Sequence, residues 1–417
     1  MGTTRSFQAM LNEYLAIDLL RDEWLKRDFF FNKVEKDDGW KGGTLPVPFQ
    51  GQNASSIKFG GLTDQSDVAE YKYVRGQITD YVEVWGTLKF NQRDLMEHDG
   101  KVNEKSFLKI LPGQIEEFLD YMKMVVSINM LAGPHFATLT VDGTAGGVIT
   151  VDRPDRFVLD QKFDLDDNNS APVTVYVIGI NMDASEITVS ATRGGAALDV
   201  SAYTVAQGAK CYHDGVLVGG VVTNRFVSLR SALLSAANGG SSTLYGQTKT
   251  AYPYLQAINV SGSTISASNI LDKIFDAYTT VRTKARGNAN TILLSFKHLG
   301  SIMKLIETQK GPFKVTPGSE KASLYGWTEI EVTSVKGTLK IVGVQEMDDD
   351  VIYFIDWAAM KFFSNGLFKK RTAPDGKNYY EVRGTSGYFY LLDVSLFGEL
   401  VIQAPGRCGV IHSIPNY

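Results

Sequence analysis

Asp348, Asp349 and Asp350 form a run of three carboxylates that could gather a divalent cation. A hard cation needs oxygens arriving from several directions, and three consecutive side chains cannot converge without partners from elsewhere. The run therefore reads as a solvated turn between two strands. The five histidines, His98, His135, His213, His298 and His412, form neither HExxH nor HxH. None accompanies a nucleophile pattern such as GxSxG, so no hydrolytic site is marked in the sequence. A triad can also assemble from distant residues, which leaves an unfamiliar metal-dependent hydrolase as a remote alternative. His298, at the start of a helical pattern, suits a surface or capping role.

The stretch from Gly240 to Gly246, GSSTLYG, has two glycines but neither the spacing nor the lysine of a phosphate-cradling loop, and reads as a flexible structural loop. Cys211 and Cys408 are far apart and outside any CxxC spacing, so neither a disulfide framework nor a zinc site is favoured. No catalytic residue, cofactor or metal is expected. The chain reads as a non-enzyme folding in a reducing cytoplasm.

The elements that must position any function are better marked. With 417 residues, 44% hydrophobic and 21% charged, the chain is long enough for two or three domains. A net charge of −4 provides no broad basic field for phosphate backbones. Arg5, Glu13, Asp18, Arg21 and Asp22 interrupt the first residues, so no signal core or membrane span is expected there.

Phe7, Met10, Leu11, Tyr14 and Leu15 have helical spacing, beginning an otherwise extended arm over residues 1–49. Its cluster Trp24, Phe29, Phe30 and Phe31 is too apolar to leave in water and packs either in the chain's own core or on a neighbouring subunit. Residues 57–90 alternate as a long hairpin with a polar middle carrying Asp64, Asp67 and Glu70. A tip of that kind projects into solvent or onto another chain.

Pro112 suits a first helical position, and Ile115, Phe118, Leu119, Met122, Val125 and Val126 then fall on one stripe of a helix of about 30 Å. Between residues 138 and 223 the helical signal vanishes. Short alternating runs separated by Asp-Gly, Asp-Asn and Gly-Gly clusters predict a small β-sandwich or barrel.

A helix over 226–237 follows, then one from an N-cap at Ser268 to about Arg286 whose terminal cations suit the helix dipole. Residues 291–294 read as a buried strand and 297–310 as a helix stopped by Gly-Pro. Strands dominate beyond it, at 339–344, 351–355, 379–383, 387–394 and 399–403, with a short helix near 357–363.

An arm, a projecting hairpin, a domain-spanning helix and a terminal mixed sheet resemble, in this order, the major capsid proteins of tailed bacteriophages. NTILLSFKHLGSIMKLIE is similar to that family's axial-domain strand and helix, and YYEVRGTSGYFYLLDVSLFGELVIQAPGRCGVI to its closing strands. The resemblance implies an α+β fold with N-arm 1–49, extended loop 50–90, peripheral domain with spine helix 91–137 and 224–290, axial domain 291–405 and terminal segment 406–417. Residues 138–223 would be an inserted all-β domain like that of some short-tailed-phage coat proteins.

The resemblance implies a subunit that associates into hexamers and pentamers as an icosahedral head shell around double-stranded DNA, without sequence-specific binding. Its other implied partners are a separate scaffolding protein, a portal and, as a further option, a decoration protein. It implies residence in the virion after assembly in the host cytoplasm, and no membrane. Expected intersubunit contacts are Trp24, Phe29, Phe30 and Phe31 in the arm and Lys58, Phe59, Lys72, Tyr73 and Arg75 in the loop. Some family members form a Lys-Asn cross-link, but no motif here selects an Asn and a carboxylate for Lys58 or Lys72. The alternatives are a tail, baseplate or other β-rich structural protein, and an encapsulin-like compartment shell.

Overall fold

A computed structural model describes residues 29–40, 43–52, 72–79, 81–91, 104–141, 147–166, 172–200, 207–285, 287–309, 329–334, 337–370, 380–384 and 387–417. The chain passes several times between two compact units, one of residues 1–32, 82–226 and 364–399, the other of residues 33–81, 227–363 and 400–417.

The first unit contains the long helix, Glu104–Leu131. Ile115, Leu119, Met122 and Val126 are buried along it and Phe118 and Val125 partly so, as the apolar stripe predicts. Its start differs from the expectation, because Pro112 lies inside the helix and not at its first turn. Proline has no N–H to donate to the carbonyl of Leu108, a defect one missing bond deep that a 28-residue helix carries through. In the same unit Val82–Asn91 pairs antiparallel with Gly387–Ile402 from Val82↔Gly398 to Asn91↔Phe389. Gly86 has no room for a side chain there, since a Cβ would lie 2.5 Å from Phe118 Cζ.

The β-rich segment is a six-stranded sheet in the order His135–Thr138, Lys210–His213, Lys162–Asp166, Val173–Asn181, Glu186–Ser190, Val148–Thr150. Its two outer strands meet. Leu139 and Val151 form an antiparallel bridge, and the backbone N–H of Thr140 donates to Thr150 O and that of Asp152 to Thr138 O, both at 3.0 Å. The sheet is therefore a closed barrel without a free edge. Alternating residues fill it: Phe163 and Leu165, Val175 and Val177, Ile187 and Val189 are each at most 2% exposed. Phe136, Phe157 and Phe163 meet edge-to-face at 4.8–5.9 Å. Ile128 and Ala132, from the end of the long helix, belong to the same core.

The second unit is built on a mixed six-stranded sheet ordered Ile258–Ser261, Gly409–His412, Ile352–Ile355, Thr291–Leu294, Gly337–Gly343, Glu329–Ser334. Every residue of the two central strands, TILL and IYFI, is buried, as strands covered on both faces require. Ile270, Leu271, Ile274, Ala277 and Val281 of helix Ile270–Lys284 and Leu299 and Ile302 of helix Phe296–Gln309 supply that core. Its edge strand Ile258–Ser261 and the neighbouring strand Gly409–His412 come from either side of the 291–405 range.

Four local expectations change. The N-cap of helix Ile270–Lys284 is Asn269, not Ser268, and its side chain caps no helix N–H but accepts from Ser266 N at 2.8 Å, while Ser268 Oγ is bonded to Ser266 Oγ. Instead of a helix over 226–237 there is one α-turn, Leu229–Leu233, with Ser228 Oγ accepting from Ser231 N. A 3-10 turn, Ala236–Asn238, follows and ends on Gly239 at φ 85°. Trp357–Ala359 is a 3-10 turn capped by Asp356, after which alternating burial over Met360, Lys361 and Phe362 makes a strand. The last expected pair of strands is one, Gly387–Ile402, because Gly398 interrupts the alternation without a turn residue to reverse it.

Candidate functional site

In place of the hairpin expected over residues 50–90, Leu45–Gln52 pairs with Lys72–Ile78, registered from Leu45↔Ile78 to Gln52↔Lys72, its first strand beginning inside the range expected as arm. Two strands alone are marginal in water, so the base must be held by something else. Val47 and Phe49 are each 1% exposed, and the Phe49 ring stacks on Tyr245 with centroids 5.7 Å apart. Opposite them Gly76 is required, since a Cβ would lie 2.5 Å from Phe49 Cε2 and 2.9 Å from Tyr245 Cβ.

Tyr245 is the centre of this support. It sits at φ 48° and Gly246 at φ 78°, the first and second turn residues of a small hairpin, Thr243–Leu244 with Gln247–Thr248. Two positive φ angles make a type I′ turn, an uncommon place for a bulky residue. Its hydroxyl donates to Leu400 O at 3.1 Å and accepts from Ile402 N at 2.8 Å, which holds the ring in place. The stretch expected to be a flexible loop is thus an ordered buttress. The small turn reaches the longer hairpin as well: Gln77 N donates to Tyr245 O at 3.0 Å, and Gln247 Nε2 to Arg75 O at 2.9 Å.

Those bonds fix the polarity of the edges. In an antiparallel ladder, directly opposed residues point their backbone groups either at each other or both outward. Gln77 donates away from its partner, so its opposite residue Pro46, and by the same alternation Pro48 opposite Arg75, point outward on the far edge. Prolines stand where outward N–H groups would invite another strand.

Below the buttress Lys249 is 5% exposed, and its Nζ donates to Ser231 O at 2.6 Å and Leu234 O at 2.9 Å. Burial lowers its pKa to about 8. The Asp348–Asp350 turn is also held by cations. Arg230 reaches Asp350 through both guanidinium nitrogens, at 2.6 and 2.9 Å, and Asp348 at 3.3 Å. No group of three or more His, Cys, Asp or Glu with metal-binding geometry occurs among the described residues. His298, expected in a surface or capping role, is fully buried between Tyr417 Oη at 2.8 Å and Asp349 O at 2.6 Å.

No family model matches this chain, and no curated protein matches it. Among solved structures it is similar to a chain of the cyanophage A-1(L) capsid asymmetric unit, at 11% identity and a TM-score of 0.46, covering 100% of this chain and 96% of that one. It is also similar to a chain of the native GTA particle capsid, at 10% identity and 0.46, covering 92% and 89%. A third is the virus-like particle from Pyrococcus furiosus, at 9% identity and 0.40, covering 96% and 99%. At these scores the likeness carries no argument.

Of the residues expected at subunit contacts, Trp24, Lys58 and Phe59 lie outside the described residues. Lys72 and Tyr73 are on the hairpin strand opposite Gln52 and Gln50, and Arg75 is exposed. Phe30 and Phe31 are 1% and 0% exposed within the single chain, the core option of the two held open for that cluster, while Phe29 is half-buried. The sequence reading missed Tyr245, Gly76 and Lys249. A Tyr-Gly pair between short β-prone residues was the one available signal for the first.

Proposed function

We propose that this chain is a shell subunit, the major capsid protein of a tailed phage, whose activity lies in its surfaces. The observation that carries the reading is the hairpin base: a two-stranded element buttressed on one edge, blocked by proline on the other and exposing Arg75. An element braced in this way suits reaching a neighbour through side chains and not through strand addition. The succession from hairpin to 28-residue helix to mixed sheet supports the same reading.

In this reading subunits join as hexamers and pentamers, and many modest contacts add through multivalency. Phe29, Lys72, Tyr73 and Arg75 contribute contacts, with Trp24, Lys58 and Phe59 beside them in chain order. A separate scaffolding protein directs assembly in the host cytoplasm, a portal and a decoration protein complete the head, and double-stranded DNA is enclosed without being read. The barrel of residues 135–213 is an inserted domain on this plan.

Negative-stain microscopy of the chain expressed with and without its neighbouring genes tests the proposal. Closed shells are expected, and isolated monomers showing turnover would overturn it. Shells that capture a protein cargo and no DNA would favour a compartment shell. Replacing Tyr73 and Arg75 by Ala is expected to reduce particle yield while the far-ultraviolet spectrum of the monomer stays unchanged; an unchanged yield removes these two from the contacts.

A further inference from the structure

The first unit holds a cleft of about 580 Å3, within the size range of small-molecule sites, that the shell reading does not use. One wall is the long helix, which presents Phe118, Met122, Val125 and Asn129 to it at spacings of three and four residues. The facing wall is strand Val82–Asn91, whose Trp85 is 53% exposed and meets Phe397 edge-to-face at 6.0 Å. The third side is the barrel's last strand and the turn beyond it, with His213 and Val216.

The polar atoms distinguish this cleft from a gap in packing. Asn129 is 6% exposed and His213 7%, and among the described residues neither Asn129 Oδ1 nor His213 Nε2 has a hydrogen-bond partner. A buried polar atom without a partner destabilises the fold that buries it, and two such atoms lining one cleft point to an occupant that satisfies both.

The charges narrow its chemistry. The charged side chains lining the cleft are Glu83 on the strand wall and Lys162 and Asp214, which are paired with each other at 2.9 Å. His213 stacks on Phe136 at 4.3 Å and is held neutral by burial and by Arg156, so it brings no positive charge. A buried anion would find only Lys162 among the cations lining the cleft, already held by Asp214, which disfavours phosphates and carboxylates. Neutral imidazole and carboxamide suit a hydroxyl or amide, which can donate to Asn129 Oδ1 and either donate to or accept from His213 according to its tautomer. Phe118, Met122, Val125 and Val216 suit an apolar body of ring size.

We propose that this cleft binds a small uncharged molecule with an aromatic or alicyclic body and a hydroxyl or amide at one end, the polar end at Asn129 and His213. The assignment is independent of shell assembly. Water alone would satisfy the two atoms but would give no selectivity between ring compounds.

Saturation-transfer NMR on the full chain, with phenol as probe and benzene, benzylamine and benzoate as controls, tests it. Phenol is expected to bind saturably, at least tenfold more tightly than any control, with its ring protons receiving the transfer. Replacing Asn129 by Leu together with His213 by Phe is expected to weaken phenol at least tenfold and leave benzene unchanged or tighter. Failure of phenol to saturate, or equal binding of benzene, would falsify the proposal. Equal binding of benzoate or benzylamine would overturn the uncharged class. Because the probe series is measured on the unaltered chain, a double variant that does not fold still leaves the selectivity to decide.

Discussion

The barrel and the hairpin of Leu45–Gln52 with Lys72–Ile78 are both antiparallel β-structure, yet they solve the problem of the unpaired edge in opposite ways. The barrel closes on itself through Leu139 and Val151, and its interior aromatic and β-branched side chains need no other element except the end of the long helix. The hairpin cannot close, having two strands, and it borrows a buttress for one edge and uses Pro46 and Pro48 to blunt the other. A closed sheet spends its backbone groups internally and can be placed anywhere. An open hairpin can project, but only from a base that residues far away in sequence hold still.

If this contrast is right, damage to the barrel should be local to its core and large. Phe163→Ala removes a ring that is 0% exposed among Phe136 and Phe157, and is expected to cost about 3–5 kcal/mol in chemical denaturation. Hydrogen exchange should show the loss in residues 135–213, with protection at Val47 and Phe49 retained. Loss of protection in the hairpin as well would break the separation.

The hairpin should fail from its support. Tyr245→Phe keeps the stack on Phe49 but leaves Leu400 O and Ile402 N without the phenol oxygen, an expected loss of about 1–3 kcal/mol. Gly76→Ala places a Cβ against Phe49 and Tyr245 and is expected to cost a similar amount, about 1–3 kcal/mol, through overpacking. Both should raise exchange at Val47 and Phe49 and leave the barrel protected.

This difference also explains what was legible in sequence. The long helix, the central strands TILL and IYFI and the β-rich run showed themselves because burial on one or both faces writes a period into the residues. The barrel's closure was not visible, since Leu139 and Val151 meet through one bridge that no spacing rule encodes. Pro112 misled for a related reason: proline is commoner at a helix start, and tertiary burial of Ile115, Leu119 and Met122 outweighed that preference. Of the candidate site, strand Lys72–Ile78 falls within the alternating run, whereas Leu45–Gln52 lies mostly in the expected arm because its two prolines read as a break, and Tyr245 and Lys249 act across the fold and leave no local pattern. Arg230 likewise answers the three aspartates from more than a hundred residues away.

The two regions should respond to pH in different windows. His213, in the barrel, has its pKa lowered to about 3 by burial and by Arg156, so the folded state keeps it neutral while the unfolded chain takes up a proton near 6.5. Its contribution is fully present above 6.5 and is lost as the pH falls toward 3. Lys249, under the buttress, titrates near 8 when folded against 10.5 in the unfolded chain, so stability rises with pH between those values as the buried ammonium loses its charge. Urea midpoints measured from pH 4 to 10 should show both slopes. His213→Phe should flatten the acid one and Lys249→Met the alkaline one; a variant that alters the other window would show the regions to be coupled.

The smallest effect on stability carries the sharpest test of the edge argument. Pro46→Thr and Pro48→Thr together restore two outward N–H donors on a strand of otherwise unchanged pattern. Each change gives back unfolded-chain freedom, costing about 0.4–1 kcal/mol, so the variant should remain folded at ambient temperature. What should change is association. With the far edge now able to donate, light scattering should show concentration-dependent growth with the infrared signature of added intermolecular strand. A double variant as monodisperse as its parent would mean that side-chain bulk, and not the missing donors, protects the hairpin.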